Sequence, residues 1–265
     1  MKIPKGLQPL VDDGLVDTVL RRLQSGKEAS VYIVRSGEEI RCAKVYKEAE
    51  HRGFHKLAQY QEGRKAQEVE WKNAEVEALY RLANAGVRVP KPHGVFDGVL
   101  LMELVVDAQG NPAPRLNEVS MSAEQAREWH RFMIAQIVLM LCTGLIHGDL
   151  SEYNVLLDAN GPVIIDLPQA VNAASNNNAY RMLERDVNNM RASFARAAPE
   201  LLETNYAREI WHLYQATVLR PDSPLTGHFA RDTSKVDVDA VLDQIEVERE
   251  EAEARARGRE RAESA

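Results

Sequence analysis

Hydrophobic and polar positions follow a strand-like pattern in the first part of the chain. From Val19 to Lys47, short β-rich runs are separated by turn residues, and "RSGEE" predicts a hairpin between "SVYIV" and "IRCAKVY". A helix is predicted before Gly86, because the preceding apolar residues recur at helical spacing (Trp71, Val76, Leu79 and Leu82). The polar segment "HRGFHKLAQYQEGRKAQ" predicts a mobile loop or a loosely held helix. Strands are predicted again in "VRVPKPHGVFDGVLLMELV", where Pro90 and Pro92 mark the preceding loop.

The second part of the chain changes to a helical pattern. Ser122 and Gln125 fit a capping box, and the residues behind them form one apolar helix face: Trp129, Phe132, Met133, Ile137, Met140 and Leu141. "VLL" and "VIID" on either side of "DANG" predict a hairpin. The pattern is helical again from Ala179 to about Val218. From about Val236 the chain is dominated by Glu, Arg and Ala, which predicts either a solvated helix or a frayed charged tail.

This order of elements predicts an α+β chain with two lobes and a cleft between them. We expect an N-terminal lobe at 1–104 that is mainly an antiparallel sheet with one main helix. A mainly helical C-terminal lobe is expected at 105–235, and a charged tail at 236–265. The connection between the lobes is expected near "LLMELVVDA".

Composition and charge exclude several classes of protein. The chain has 265 residues, 45% of them hydrophobic and 28% charged, as is typical of a soluble globular protein. Its net charge of -7 and pI of about 5.6 argue against a nucleic-acid partner held by bulk charge. Cys42 and Cys142 are too few for a disulfide framework, which suits a reducing cytoplasm. We expect both side chains to be buried in the protein. Neither a signal peptide nor a membrane span is expected.

The stretch "LIHGDLSEYN" carries the strongest chemical signal. Asp149 and Asn154 follow a long apolar run, and "VIIDLP" places Asp166 at the end of a predicted strand. Asp149 suits a role as proton acceptor for an attacking hydroxyl. The oxygen atoms of Asn154 and Asp166 suit Mg²⁺ bridged to phosphate. His147 is expected to hydrogen-bond backbone behind the loop. Each residue alone has an ordinary explanation, but their order along the chain favours phosphoryl transfer.

A turn in "QSGKEASVY" is a candidate cradle for phosphates. Gly26 permits close backbone approach, and Ser25, Lys27 and Ser30 offer donors to phosphate oxygens. The stretch matches neither GxGxxG nor the P-loop pattern. An ordinary hairpin turn remains the alternative.

A strand lysine with a carboxylate partner completes the candidate site. Lys44 and Lys47 lie at an odd separation, so a strand places them on opposite faces. Lys44 is the candidate for the cleft, with Glu75 as its expected partner and Glu70 and Glu77 as competitors. A solvent-facing lysine is the alternative.

These motifs resemble the protein-kinase-like superfamily, and more specifically the RIO kinases. "SGKEASVY" resembles the phosphate loop of that family, "HGDLSEYN" its catalytic loop and "IIDLPQAV" its metal loop, over about Leu15 to Ala216. The resemblance implies ATP and Mg²⁺, or Mn²⁺, as cofactors. It also implies roles for particular residues: Lys44 paired with Glu75 on nucleotide phosphates, Asp149 catalytic, Asn154 and Asp166 on metal, and the backbone of Met102, Glu103 and Leu104 on adenine.

Departures from ordinary protein kinases narrow the resemblance. Gly148 and Ser151 stand where HRD kinases have Arg and Lys, and no APE-like motif follows Asp166, so the fold is expected to be truncated. The short N-terminus favours the type-one RIO subfamily, in a bacterial- or archaeal-like short form, whereas Pro168 is more typical of the second.

Three functions are consistent with these residues. The first is a serine/threonine protein kinase of RIO type that also phosphorylates itself; the family resemblance adds pre-ribosomal or ribosomal association and an ATPase cycle through an aspartyl phosphate on Asp166. The second is a small-molecule phosphotransferase of the aminoglycoside or choline kinase type. The third is a nucleotide-switched scaffold. "DLSEYN" together with "SGKEASVY" favours the RIO type.

Overall fold

The computed structural model describes residues 3–26, 29–47 and 74–229. Several sequence predictions concern residues outside these ranges: the polar segment "HRGFHKLAQYQEGRKAQ", the start of the helix at Trp71, the phosphate donor Lys27, the competing Glu70 and the charged tail.

Five antiparallel strands form the N-terminal sheet. In chain order they are β1 (Thr18–Ser25), β2 (Ala29–Ser36), β3 (Glu39–Tyr46), β4 (Pro92–Phe96) and β5 (Val99–Glu103). Their spatial order is β1-β2-β3-β5-β4. The predicted β2–β3 hairpin is confirmed, with Gly37 in its turn at a φ of 62°. Pro92 is tolerated because it begins β4, which is an edge strand.

Two helices accompany this sheet. A short 3₁₀ turn (Lys5–Leu7) leads into α1 (Gln8–Asp12), and α2 is described from 74 to 84. α2 ends where the sequence predicts, before Gly86 at a φ of 83°. α1 contributes to a small apolar cluster on the sheet, made of Leu7, Leu10, Val16, Val19, Val34, Ala43, Val99 and Leu101. Ala43 belongs to this cluster and Val45 packs against it, so the cluster fixes the strand residues on both sides of Lys44.

The second lobe is mainly helical. Its elements are α3 (Ala123–Cys142), β6 (Leu145–Ile146), β7 (Val155–Asp158), β8 (Gly161–Ile164), β9 (Val171–Asn172), α4 (Ala179–Ala195) and α5 (Tyr206–Gln215), with 3₁₀ turns at Leu116–Glu118 and Pro199–Glu203. The capping box of α3 is confirmed by reciprocal hydrogen bonds of 3.2 and 2.9 Å between Ser122 and Gln125. The hairpin predicted around "DANG" is confirmed as β7 and β8.

Two sequence predictions are corrected in this lobe. The helical pattern from Ala179 to about Val218 is divided into α4, a 3₁₀ turn and α5, because Pro199 lacks an N–H group and its ring excludes a continuous helix. Cys142, expected to be buried, is exposed, since α3 ends there and the side chain lies off the buried stripe; Cys42 is buried.

One apolar core runs through both lobes. Leu79 and Leu82 of α2 belong to the same cluster as Met133 and Ile137 of α3 and Leu183 of α4. The described residues up to His228 pack as one unit, and the lobe boundaries expected at 104 and 235 stay predictions. Within the described residues, none of the helices combines the length and apolarity that a membrane crossing requires.

Candidate active site

The loop between β6 and β7 depends on a glycine. Gly148 has a φ of 79°, and a Cβ atom at this position would lie 2.5 Å from both the carbonyl oxygen of Gln169 and Cε of Met182. No side chain fits that space, and the backbone conformation itself disfavours one. "HGD" in place of "HRD" is therefore dictated by the close approach of the segment after Asp166.

A buried carboxylate on α4 anchors this loop. Asp186 Oδ2 accepts a hydrogen bond from the backbone N–H of Gly148 at 2.8 Å, and its Oδ1 accepts one from Leu150 at 2.9 Å. Asn189 adds a bond from Nδ2 to the carbonyl oxygen of Leu150 at 2.9 Å. Burial raises the pKa of Asp186 to about 7, although the two N–H groups act in the opposite direction. The backbone on both sides of Asp149 is thereby held in place.

Sequence reasoning missed Asp186. The available signal was its position on the apolar face of α4, between Leu183 and Val187, where all three side chains are buried. A carboxylate in such a stripe is costly unless it accepts hydrogen bonds. Its presence therefore indicates a structural partner elsewhere in the chain.

Asp149 is open to an incoming substrate. Its side chain is 61% exposed, and Nη2 of Arg185 lies 3.9 Å from its Oδ1. Arg185 is also exposed and was not found from the sequence. "HGDLSEYN" contains no Lys or Arg, so Arg185 places positive charge beside Asp149 from a different element.

His147 has the structural role that the sequence predicts. Its ring is buried, and Nε2 donates to the carbonyl oxygen of Ile165 at 3.1 Å. Nδ1 accepts a 3.3 Å bond from the backbone N–H of Asp149. Burial lowers the pKa of His147, outweighing its polar neighbours, which favours the neutral ring. A neutral ring explains how one nitrogen donates while the other accepts.

Lys44 joins the two lobes. Its Nζ lies 2.5 Å from Glu75 Oε1 and 2.9 Å from Asp166 Oδ1. Burial alone lowers the pKa of Lys44, but the charges and hydrogen bonds of the two carboxylates reverse that effect, so the pKa is raised. Of the two candidate carboxylates within the described residues, Glu75 is the partner of Lys44, whereas Glu77 is exposed. Tyr46, which the sequence did not single out, donates to Glu75 Oε2 at 2.8 Å.

Asp166 and Asn154 lie at the ends of neighbouring elements. Asp166 has a φ of 67°, a conformation that Asp adopts more readily than most residues, and its side chain is 48% exposed. Asn154 Nδ2 donates to the backbone carbonyl oxygen of Asp149 at 2.9 Å. The backbone carbonyl oxygen of Asn154 accepts from the N–H of Ile165 at 3.0 Å. These bonds tie Asn154 to the catalytic loop and to the residue before Asp166.

These two residues fit Mg²⁺. The hydrogen bond of Asn154 uses its nitrogen and leaves Oδ1 as an oxygen ligand, and Asp166 supplies an exposed carboxylate. The described residues contain no cluster of three or more His, Cys, Asp or Glu side chains suited to a metal. A pair of oxygen ligands is the kind of site in which Mg²⁺ keeps waters and binds phosphate.

The turn between β1 and β2 is held by a second lysine. Ser25 Oγ and Ser30 Oγ are 3.3 Å apart, and Gly26 N donates to the carbonyl oxygen of Ala29 at 2.9 Å. Lys47 Nζ donates to the carbonyl oxygen of Gly26 at 2.6 Å and to Ser25 Oγ at 3.2 Å. The described ends of the turn, Gly26 and Ala29, are thus bonded to each other, and the Lys47 ammonium group contacts Gly26. A phosphate role for Ser25, Gly26 and Ser30 stays a prediction.

The expected hinge lies at the end of β5. Glu103 N donates to the carbonyl oxygen of Lys91 at 2.8 Å, and Glu103 Oε2 accepts from Lys91 N at 3.0 Å. The backbone N–H of Glu103 is therefore already hydrogen-bonded to Lys91, the residue before β4. Adenine binding by Met102, Glu103 and Leu104 stays a prediction.

Comparison with known proteins places this site in a family. Residues 24–207 match the family model described as the RIO domain. This chain belongs to the RIO family. The matched range contains Lys44, Glu75, Asp149, Asn154 and Asp166, and the bilobal kinase-like fold expected from the sequence is confirmed.

Several RIO relatives match roughly two thirds to three quarters of this chain. The RIO-type serine/threonine-protein kinase Rio1 of Haloferax volcanii is 36% identical over 203 residues, which cover 71% of this chain and 67% of that protein. Rio1 of Methanocaldococcus jannaschii is 33% identical over 187 residues, covering 66% and 62%. The serine/threonine-protein kinase RIO1 of Chaetomium thermophilum is 30% identical over 233 residues, covering 77% and 44%. These names agree with the type-one subfamily expected from the sequence. The chain spans 44 to 67% of the length of these three relatives.

A solved structure described as a kinase domain is also similar. It has a TM-score of 0.45 and 16% identity, covering 76% of this chain and 67% of that chain.

Proposed function

We propose that this chain is a RIO-type kinase that transfers the γ-phosphoryl group of ATP to serine or threonine of a protein, with Mg²⁺ as cofactor. One observation carries the proposal: the partly buried ammonium group of Lys44 contacts both Glu75, on α2, and Asp166, after β8. This contact joins the sheet to the catalytic lobe. A cation held between the lobes suits the phosphates of a nucleotide bound there.

The charged residues divide the work of phosphoryl transfer. Glu75 orients Lys44, whose charge suits the nucleotide phosphates. Asn154 and Asp166 would hold Mg²⁺, which neutralises charge on the phosphates when bound. Phosphoryl transfer requires positioning and charge neutralisation more than covalent help from the protein. These are the properties that a partly buried lysine and a pair of oxygen ligands provide.

Asp149 is suited to accept the proton of the attacking hydroxyl. The hydroxyl oxygen bonds to the γ-phosphorus, the bond from that phosphorus to the leaving oxygen of ADP breaks, and the hydroxyl proton passes to an Asp149 carboxylate oxygen. The anchored backbone of Gly148 and Leu150 fixes the position of Asp149 for this step. Nη2 of Arg185, 3.9 Å from Asp149 Oδ1, adds positive charge beside this carboxylate.

The family supplies the remaining parts of the proposal. The relatives are named serine/threonine-protein kinases, which favours a protein acceptor over an aminoglycoside or an amino alcohol. Association with ribosomal or pre-ribosomal particles, and a place in the cytoplasm, are carried into the proposal from the family resemblance.

Turnover of ATP labelled at the γ-position tests the proposal. Wild type is compared with Asp149→Asn and Asp166→Asn, and with Asp222→Asn as a matched control on an exposed loop. Label on serine or threonine that is present in wild type and control but lost in both site variants supports a protein kinase. Free phosphate with a transient base-labile label identifies an aspartyl-phosphate ATPase instead. If wild type neither binds nor turns over ATP, or if it labels a sugar or amino alcohol in preference to protein, the proposal fails.

A further inference from the structure

Arg115 is held on the catalytic lobe by its own backbone. It lies just before the 3₁₀ turn Leu116–Glu118 and forms an antiparallel bridge with Leu156. On either side, the carbonyl oxygen of Pro114 accepts from Leu157 N at 2.9 Å, and Asn117 N donates to the carbonyl oxygen of Glu152 at 3.3 Å. The position of Arg115 therefore follows that of the catalytic loop and β7.

The side chain of Arg115 reaches both lobes. Nη1 donates to the carbonyl oxygen of Tyr153 at 2.8 Å, and Nη2 donates to Gln24 Oε1 at 2.6 Å. Tyr153 immediately precedes Asn154, and Gln24 immediately precedes Ser25. A single guanidinium group thus connects the strand that leads into the β1–β2 turn with the loop that carries Asp149 and Asn154.

Apart from its ladder with β2 and the bond from Lys47 to Ser25, β1 has little packing to hold it. It is an edge strand, and Val19 alone of its eight residues is buried. Its ladder with β2 has register shifts between Val19 and Arg21 and again between Arg22 and Gln24. An irregular, exposed edge strand moves readily relative to the mainly helical lobe that carries Arg115. A hydrogen bond near its end therefore has a large influence on where the turn lies.

The planar fork of arginine is suited to this connection. Its donors point in fixed directions, so one group bonds two acceptors at once, whereas a lysine ammonium on a flexible stem does so less well. Both acceptors are uncharged, one a backbone carbonyl and one an amide, so the geometry of the fork rather than the sign of the charge determines the contact. The backbone N–H of Arg115 bonds separately to Glu118 Oε2 at 3.0 Å and is unaffected by a change of side chain.

We propose that Arg115 is a clasp that sets the separation between the β1–β2 turn and the catalytic loop, and thereby positions the turn for nucleotide. The second part rests on the proposed function, because it needs a nucleotide that touches both lobes. Such a ligand binds more tightly when the lobes are already held at the right separation, because less freedom is lost on binding. Once bound, it bridges the lobes itself. The clasp therefore acts mainly on nucleotide affinity and less on the rate of transfer.

Amide hydrogen exchange without nucleotide tests the clasp itself. The variants are Arg115→Leu, Gln24→Leu, the double variant and Arg115→Lys, with Arg22→Leu as a control that removes an exposed arginine from the same strand. We expect faster exchange in residues 18–26 and 150–157 for Arg115→Leu, a smaller effect for Arg115→Lys and none for Arg22→Leu. Unchanged exchange in Arg115→Leu overturns the clasp. This arm needs no ATP, so it gives a result even if the proposed function fails.

Nucleotide binding tests the consequence. We expect the Kd and the KM for ATP to rise about five-fold in Arg115→Leu, as for loss of one such hydrogen bond, with kcat changed less than two-fold (roughly, since the bound nucleotide orders the lobes). Gln24→Leu is expected to have a similar effect, and the double variant no more than either one. Additive increases in Kd in the double variant would overturn the proposal. A fall in both kcat and Tm with Kd unchanged would show a merely structural role and would also overturn it.

Discussion

Lys44 Nζ lies 2.9 Å from Asp166 Oδ1, although 122 residues separate them in the sequence. The same ammonium group contacts Glu75 Oε1 at 2.5 Å, and only 5% of the Glu75 side chain is exposed. Removing Lys44 therefore has two consequences that are separable. The cleft loses its cation, and a buried carboxylate loses its charged partner.

Lys44→Met is expected to abolish phosphoryl transfer and to lower the free energy of unfolding by about 3 kcal/mol, because Glu75 is left buried without its ion pair. Lys44→Met combined with Glu75→Gln is expected to recover part of the stability and none of the activity. Urea unfolding and labelled-ATP turnover measure the two effects. Recovery of activity in the double variant would remove the nucleotide role from Lys44.

Asp186→Asn is expected to lower kcat by at least about ten-fold while the chain still folds. The amide nitrogen cannot accept the N–H bond of Gly148 or Leu150, so one of the two anchors of the catalytic loop is lost. Asn189→Ala removes a single bond to the carbonyl oxygen of Leu150 and serves as the milder comparison. Steady-state kinetics and thermal unfolding together check the prediction. Full activity in a folded Asp186→Asn variant would contradict it.

Gly148→Ala is expected to lose activity and stability, and Gly110→Ala is its matched control. Both glycines have a φ of 79°, so both substitutions cost backbone strain of roughly 1–2 kcal/mol. A Cβ at position 148 meets Gln169 and Met182 at 2.5 Å, whereas one at position 110 meets nothing within 4 Å. The difference between the two variants in urea unfolding isolates the steric effect. Equal losses of unfolding free energy in Gly148→Ala and Gly110→Ala would show that the loop at position 148 shifts freely to accept the Cβ atom.

Arg185→Gln is expected to lower kcat about three- to five-fold, because an exposed ion pair with Asp149 contributes at most about 1 kcal/mol. Arg181→Gln, one turn earlier on α4 and also exposed, is expected to have no effect. Arg185→Lys is expected to restore most of the rate. An unchanged rate in Arg185→Gln would show that Arg185 takes no part in transfer.

His130 is expected to make the fold sensitive to acid. It is 2% exposed, lies between the rings of Phe194 and Tyr206, and its pKa is lowered from 6.5 to about 4, first by burial and then by the charge of Arg191. Between these values the unfolded chain binds a proton that the folded chain does not, so stability falls as the pH falls from 6.5 to 4. The loss is on the order of 3 kcal/mol at most.

His130→Phe is the variant that isolates this effect. Asp186 acts in the opposite direction, because its raised pKa of about 7 makes the folded state bind more protons between 3.8 and 7. The difference between wild type and variant cancels the Asp186 contribution. We expect the free energy of unfolding of wild type to fall relative to the variant as the pH is lowered, and parallel curves would contradict the prediction.

Local features of the site and fold were predictable from the sequence because their causes lie within a few residues. The β2–β3 hairpin depends on Gly37, the start of α3 on the reciprocal bonds of Ser122 and Gln125, and the end of α2 on Gly86. The break of the helical pattern at Pro199 was also readable and was overlooked. "HGDLSEYN" predicted that Asp149 and Asn154 share one loop, and Asn154 Nδ2 bonds the carbonyl oxygen of Asp149 there; their roles stay predictions.

Apart from the pair of Lys44 and Glu75, which was expected from the sequence and the family resemblance, only the tertiary structure decided which distant side chains meet. Asp186 anchors a loop 38 residues earlier, and Arg115 bonds Gln24 across 91 residues, distances at which periodicity and spacing carry no information. Lys47, predicted from the sequence to lie on the strand face opposite Lys44, follows the last residue of β3 and bonds Gly26 of the β1–β2 turn. The physical reason is that a hydrogen bond or ion pair depends on the relative placement of two elements. That placement is determined by the apolar core that packs α2, α3 and α4 together, and not by the residues that it brings into contact.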